Sequence, residues 1–106
     1  MSEIQSHQFS DSEGNPAGGM SQALGVIVSW QNGPLVYGRD GTKHSNGAFV
    51  EDLIKIAIDR LKFYENSKFS CKENKEAIHH LNEALDWLNS RTKDRERRGV
   101  EGTYQI

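Results

Sequence analysis

One cysteine, Cys71, and two prolines stand in a chain of 106 residues. A single thiol excludes an internal disulfide framework and a cysteine-based zinc cage. No apolar run exceeds three residues, as at Val26-Ile27-Val28, so no segment reads as a membrane span. The first residues also lack the cationic-then-apolar pattern of a secretory signal. Neither sign of charge dominates, with 13 Lys and Arg against 15 Asp and Glu and a net charge of −2. These absences lead us to expect one small cytoplasmic domain without a membrane partner. Apolar residues make up only 35% of the chain, which leaves a thin core for a chain this short.

The apolar residues are unevenly spread. Residues 1–22 hold five of them, no Lys or Arg, and the acids Glu3, Asp11 and Glu13. With the run Gly14-Asn-Pro-Ala-Gly-Gly19 inside it, this stretch reads as a flexible, weakly acidic tail. Residues 23–106 then form the domain.

Within that domain, Leu24 to Trp30 is short and β-branched and ends at Gln31-Asn32-Gly33, a turn signal. Leu35-Val36-Tyr37 is expected to return as the second strand of a hairpin over residues 24–37, with Pro34 confining it to an edge. Four glycines fall between positions 33 and 47, yet Gly38 leads into Arg39-Asp40 rather than the Lys-Ser/Thr of a phosphate loop. A first helix is expected over 48–64, with Asn46 as N-cap, Glu51 and Asp52 in its first turn, and Val50, Ile54, Ala57, Leu61 and Tyr64 on one face that Leu53, Ile56 and Ile58 widen. A second is expected over 71–98, opened by the capping box Ser70-Cys-Lys-Glu73 and stopped at Gly99. At about 1.5 Å per residue it is a rod of roughly 40 Å. The fold class is therefore α+β, a short N-terminal β-hairpin followed by a long antiparallel α-helical hairpin. Two unequal helices and a hairpin do not close a core around such a rod, so self-association is expected.

On the second helix, Asn74, Ala77, Leu81, Ala84, Leu88, Arg91 and Arg95 recur in alternating steps of three and four, apolar in the middle and polar at both ends. Arg91 and Arg95 suit a helix C-terminus in any case. Spaced i,i+4, they also form an anion clamp, because guanidinium presents paired donors that match phosphate. Residues 91–98 carry a net charge of +3, with Asp94 and Glu96 interspersed, which favours a focused site over a nucleic-acid stripe. Asn74 and Arg91 lie 17 residues apart, roughly 25 Å along one helix. An antiparallel second chain would bring Asn74 of one copy beside Arg91 of the other, in symmetric pairs.

No catalytic apparatus is recognisable. Glu76-Ala-Ile-His79 has di-iron carboxylate spacing but occurs once. His79 and His80 diverge by about 100° on a helix and are better placed to pair with Glu83 and Glu76. Cys71 has no base placed beside it, and no Ser lies in a nucleophile context. The chain is read as a non-enzyme without cofactor or metal.

Across the C-terminal two-thirds, the segments Trp30-Gln-Asn-Gly-Pro34, Asn46-Gly-Ala-Phe-Val-Glu-Asp52, Arg60-Leu-Lys-Phe-Tyr64, Cys71-Lys-Glu-Asn74, Ala84-Leu-Asp-Trp-Leu88, Arg91-Thr-Lys-Asp-Arg95 and Gly99-Val-Glu-Gly-Thr103 occur in this order. By these the chain resembles the phage Thoeris anti-defence one family, which shares a helical-hairpin domain with anti-CBASS sponge proteins. The resemblance covers roughly residues 25–104. It implies a sponge that binds cyclic ADP-ribose isomers made by bacterial TIR-domain immune proteins and does not cleave them. It further implies assembly as a dimer or hexamer with inter-subunit pockets, cyclic di- or trinucleotides as a second ligand class, and action in the host bacterial cytoplasm. The family's ligand-contacting positions match Arg39, Tyr64, Asn74, Arg91 and Arg95. In that reading Tyr64 stacks on adenine and Arg39 sandwiches it or holds phosphate. Arg91 and Arg95 neutralise the pyrophosphate, and Asn74 bonds ribose or a base edge.

A different class, a small helical nucleic-acid-binding or regulatory module using the basic end of the second helix, is the alternative. Near-zero net charge and the lack of helix-turn-helix spacing weigh against it, and no DNA partner is expected.

Overall fold

The computed structural model describes residues 3–100, 103 and 106, the side chain of Val36 excepted. The chain divides into two compact units, Met1–Phe49 with Val100–Ile106, and Val50–Gly99. The class is α+β, as expected, but the β part is built differently.

In the first unit β1 (Gln5–Ser10), β2 (Pro16–Ala23) and β3 (Val26–Ser29) form an antiparallel sheet in the order β1-β2-β3. Residues 1–22, expected as a flexible tail, thus supply β1 and all but the last residue of β2, two of its three strands. Few apolar residues mark them because polar side chains bond across the ladder. Gln5, Gln22 and Ile27 are opposed, as are Ser6, Ser21 and Val28. The Ser6 hydroxyl donates to Ser21 Oγ at 3.0 Å, the Gln22 amide donates to Gln5 Oε1 at 2.9 Å, and Trp30 Nε1 donates to Ser21 Oγ at 2.8 Å. Asp11 closes the β1–β2 turn by accepting the backbone N–H groups of Glu13 and Asn15, both at 2.9 Å. Gly19 lies where the strands approach most closely. Its φ is +139°, and a Cβ there would collide with the His7 carbonyl, so no other residue fits.

The expected hairpin over 24–37 is also corrected. β3 pairs with β2, whereas β4 (Val36–Tyr37) pairs with β5 (Lys43–His44). Between them Gly38 N–H donates to Thr42 O at 2.8 Å, and Asp40 Oδ1 accepts the Thr42 N–H at 3.0 Å and its hydroxyl at 2.6 Å. Asn46 is not a helix cap. Its amide grips the Asn32 peptide from both sides, accepting from Asn32 N and donating to Asn32 O, each at 2.8 Å. Ala48 N–H donates to Ser29 O at 2.8 Å and Gln31 N–H to Ala48 O at 3.0 Å. A Cβ on Gly47 would stand 2.5 Å from the Trp30 carbonyl, so this strand-like contact needs glycine.

The second unit is α1 (Val50–Glu65) packed on α2 (Lys72–Arg97). α1 turns Ile54, Ala57, Ile58, Leu61 and Tyr64 inward, with Ile58 only 7% exposed. Ile56 (68%) and Phe63 (58%) lie on its far side, about 180° around the helix. Among the described residues the buried apolar side chains are Ile58 here and Val28 and Val100 in the first unit. α2 has no buried residue, and the core is as thin as the composition implies.

The N-terminus of α2 differs by one position from the expected capping box. Cys71, not Ser70, is the N-cap, in extended conformation with its Sγ accepting the Asn74 N–H at 3.4 Å. The Ser70 hydroxyl instead donates to Glu65 Oε2 at 3.0 Å. At the other end Arg98 is the C-cap, and Gly99 follows with φ 74°.

Candidate functional site

Tyr64 and Asn74 lie at one end of the helical pair, on either side of the turn between α1 and α2. Glu65 organises that turn. Its Oε1 accepts the Cys71 N–H at 3.0 Å, its Oε2 accepts the Ser70 hydroxyl at 3.0 Å, and Lys75 Nζ stands 3.9 Å away. Asn74 reaches back to donate to Phe69 O at 3.2 Å, and the Ser67 hydroxyl donates to Tyr64 O at 2.6 Å. The backbone N–H of Cys71 chiefly, with Ser70, Asn74 and Lys75, holds the Glu65 carboxyl below its ordinary value of 4.5. The charged form is therefore favoured by folding. Its contribution is complete above the unfolded value and is lost as pH falls through the lower folded value. Glu65→Gln is expected to lower the denaturation midpoint at pH 7, and the gap to wild type should narrow progressively as the pH falls below the ordinary value of 4.5. Urea titrations of both chains between pH 7 and 3 check this, and a gap that stays constant into acid would contradict it.

The Tyr64 ring belongs to a small cluster on α1. The Arg60 guanidinium lies over two rings, 4.8 Å from the Phe63 centroid and 4.9 Å from that of Tyr64. The rings themselves are edge-on, 6.1 Å apart. Arg60 opens the segment Arg60-Leu-Lys-Phe-Tyr64 but is not among the candidate ligand residues; the i,i+4 spacing to Tyr64 is the local signal that links the two.

Arg91 and Arg95 lie one turn apart near the other end of α2. The structure keeps part of the expected stripe and shifts the rest. Asn74, Ala77, Leu81, Leu88 and Arg95 are half-buried as the spacing implies, whereas Ala84 and Arg91 are exposed and Ile78, Leu85 and Thr92 take up the packed line. Arg95 therefore continues the packed face while Arg91 points away from it. Asp94 bonds Arg97 Nη2 at 3.0 Å and Arg98 Nε at 3.1 Å, and the Arg97 bond first, then the two cations, lowers its pKa. That pairing partly neutralises the helix end and leaves Arg91 and Lys93 without a partner carboxylate among the described residues.

Arg39 belongs to the first unit, exposed in the β4–β5 turn beside Asp40, whose carboxylate is taken up by Thr42. Within the second unit the structure brings Tyr64 to the end that holds Asn74, and Arg91 to the end that holds Arg95. It does not bring the two pairs together, since 17 residues of α2, roughly 25 Å, separate Asn74 from Arg91. The histidines pair as expected. His79 Nε2 and His80 Nδ1 stand 2.9 and 3.3 Å from Glu83 Oε1, and His80 Nε2 stands 3.9 Å from Glu76. Among the described residues, no group of three His, Cys, Asp or Glu is placed to hold a metal, and no helix is long and apolar enough to cross a membrane.

Two comparisons with known proteins bear on this arrangement. Over 81 residues the chain is 51% identical to a protein named Thoeris anti-defense 1 from Bacillus phage SBSphiJ7, an alignment covering 76% of this chain and 53% of that protein. The chain thus spans about half the length of this curated relative. The model of the family described as Acb2/Tad1, hairpin domain, matches residues 31–93, a span that holds Arg39, Tyr64, Asn74 and Arg91 but stops short of Arg95. With α1 and most of α2 inside that match, the chain belongs to the Acb2/Tad1 hairpin-domain family.

Proposed function

We propose that this protein is a phage-encoded anti-defence sponge, which binds cyclic ADP-ribose isomers made by bacterial TIR-domain immune proteins and holds them intact in the host cytoplasm. The observation that carries this reading is the division of the candidate residues between the two ends of one rigid helix pair. A stacking ring and an amide lie at one end, and two guanidinium groups at the other. Antiparallel association of two chains sets each end of one copy against the opposite end of its partner and makes two equivalent sites. Each then offers an aromatic face for adenine, an amide for ribose, and an arginine pair for the pyrophosphate. The exposed Ile56 and Phe63 supply apolar surface of the kind that association covers. Arg39, exposed on the first unit, is a further candidate ligand contact.

The reading requires binding without chemistry. Titration of the purified protein with cyclic ADP-ribose and its glycosidically linked isomers should show one ligand bound per chain. Heat denaturation should then release it with mass and chromatographic mobility unchanged. Recovery of linear ADP-ribose would overturn the sponge and point to a hydrolase. Salt-sensitive binding of duplex DNA with no nucleotide bound would favour the nucleic-acid alternative.

A further inference from the structure

Three features mark Arg60 beyond the stabilisation that its ring contacts provide. Its guanidinium is held over two aromatic rings at 4.8 and 4.9 Å. Its neighbours one turn away on α1, Ile56, Ala57, Phe63 and Tyr64, include no carboxylate, and it forms no ion pair among the described residues. One of its rings is Tyr64, the stacking candidate. Arginine normally stacks through the flat face of the guanidinium, which leaves the N–H edge available for an anion. A cation held by two rings loses less freedom on binding than a mobile one.

We propose that Arg60 is a ligand-contacting residue of the Tyr64 site, where it donates from its N–H edge to a phosphate of the bound nucleotide while it fixes the ring on which the base stacks. This rests on the sponge reading and extends it. Tyr64 is only half-buried, and the base stacks on the part of its ring that Arg60 leaves uncovered. The phosphate is then engaged from both ends of the helix pair, by Arg60 on one chain and Arg91 on the other. The ligand this contact requires carries a phosphate within reach of an arginine four residues from the ring on which its base stacks.

The test compares wild type, Arg60→Met and Arg60→Lys by calorimetry with cyclic ADP-ribose and its isomers at 50 and 300 mM salt, with circular dichroism to show that the fold is unchanged. Met keeps the length of the stem and removes the charge. A charge-assisted bond predicts that Arg60→Met weakens binding about 10- to 100-fold. It also predicts that Lys recovers part of the loss, and that the wild-type advantage shrinks at high salt. Equal affinities for wild type and Arg60→Met would overturn the assignment of Arg60 and leave the sponge reading standing. A loss that Lys does not relieve and salt does not change would assign Arg60 to ring positioning and overturn the phosphate contact. Wild type that binds none of the nucleotides would overturn the sponge reading, and the role of Arg60 with it.

Discussion

Mixing Tyr64→Leu chains with Arg91→Glu chains is expected to restore ligand binding that neither variant shows alone. Arg91 is exposed, so reversing its charge leaves the packed face of α2 intact. Next to a pyrophosphate the reversal removes a charge-assisted bond and adds a repulsion, and affinity should fall by at least about a hundredfold. Tyr64→Leu keeps apolar volume on the inner face of α1 but removes the stacking ring. If every site takes Tyr64 from one chain and Arg91 from another, random mixing leaves about a quarter of the sites with both residues wild type. Calorimetry of the re-equilibrated mixture should therefore show roughly one quarter of the wild-type stoichiometry, at wild-type affinity. A site within one chain predicts no recovery at any ratio. The roughly 25 Å of helix between the two ends makes that second result hard to reconcile with a single small ligand, and it would require the residues to serve different sites.

The largest loss of stability is expected from Ile58→Ala. Ile58 is the one buried residue of α1, and α2 has none, so the helical pair has no second core position to absorb the change. Removing three carbons there should cost about 2–4 kcal/mol, from lost transfer energy and the cavity left behind. Ile56→Ala, two positions away on the opposite face, removes the same atoms from a side chain already 68% exposed. It should change the stability of the single chain by less than about 0.5 kcal/mol, yet it should weaken any association that covers the outer face of α1. Urea denaturation of the three proteins at low concentration, with sedimentation velocity at high concentration, separates the two effects. Comparable destabilisation by both substitutions at low concentration would mean that the outer face is already covered in the single chain.

The sequence by itself determined the two helices. Their apolar residues repeat every three to four positions over 16 and 26 residues, and their ends carry local signals whose physics does not depend on distant partners. Acids sit in the first turns, and Gly99 follows the C-cap of α2. Even the error at the start of α2 was local, since Ser70 and Cys71 are adjacent acceptors and Glu65, on the other helix, draws the serine hydroxyl away. Of the candidate ligand residues, Asn74, Arg91 and Arg95 were likewise readable from their spacing on one helix, whereas Arg39 and Tyr64 entered only through the family resemblance.

The tertiary structure decided what depends on partners remote in the chain. Strands β1 and β2 carry no apolar periodicity because serine and glutamine side chains bond across the ladder, and that stabilisation exists only once the register is formed. Asn46 was read as a helix cap, yet its amide fits the Asn32 peptide 14 positions away, a pairing that no local propensity encodes. The stripe on α2 was correct to within one residue per turn. A three-four repeat fits two neighbouring lines about equally well, and only the facing helix selects between them, turning Arg95 inward and Arg91 to solvent. That rotation, with the ring cluster around Arg60, distinguishes a single row of polar residues on one helix from two separate groups of candidate residues at its opposite ends. The scarcity of apolar residues, apparent from composition alone, thereby acquires a location, in the exposed outer face of α1 and in ends that one chain cannot bring together.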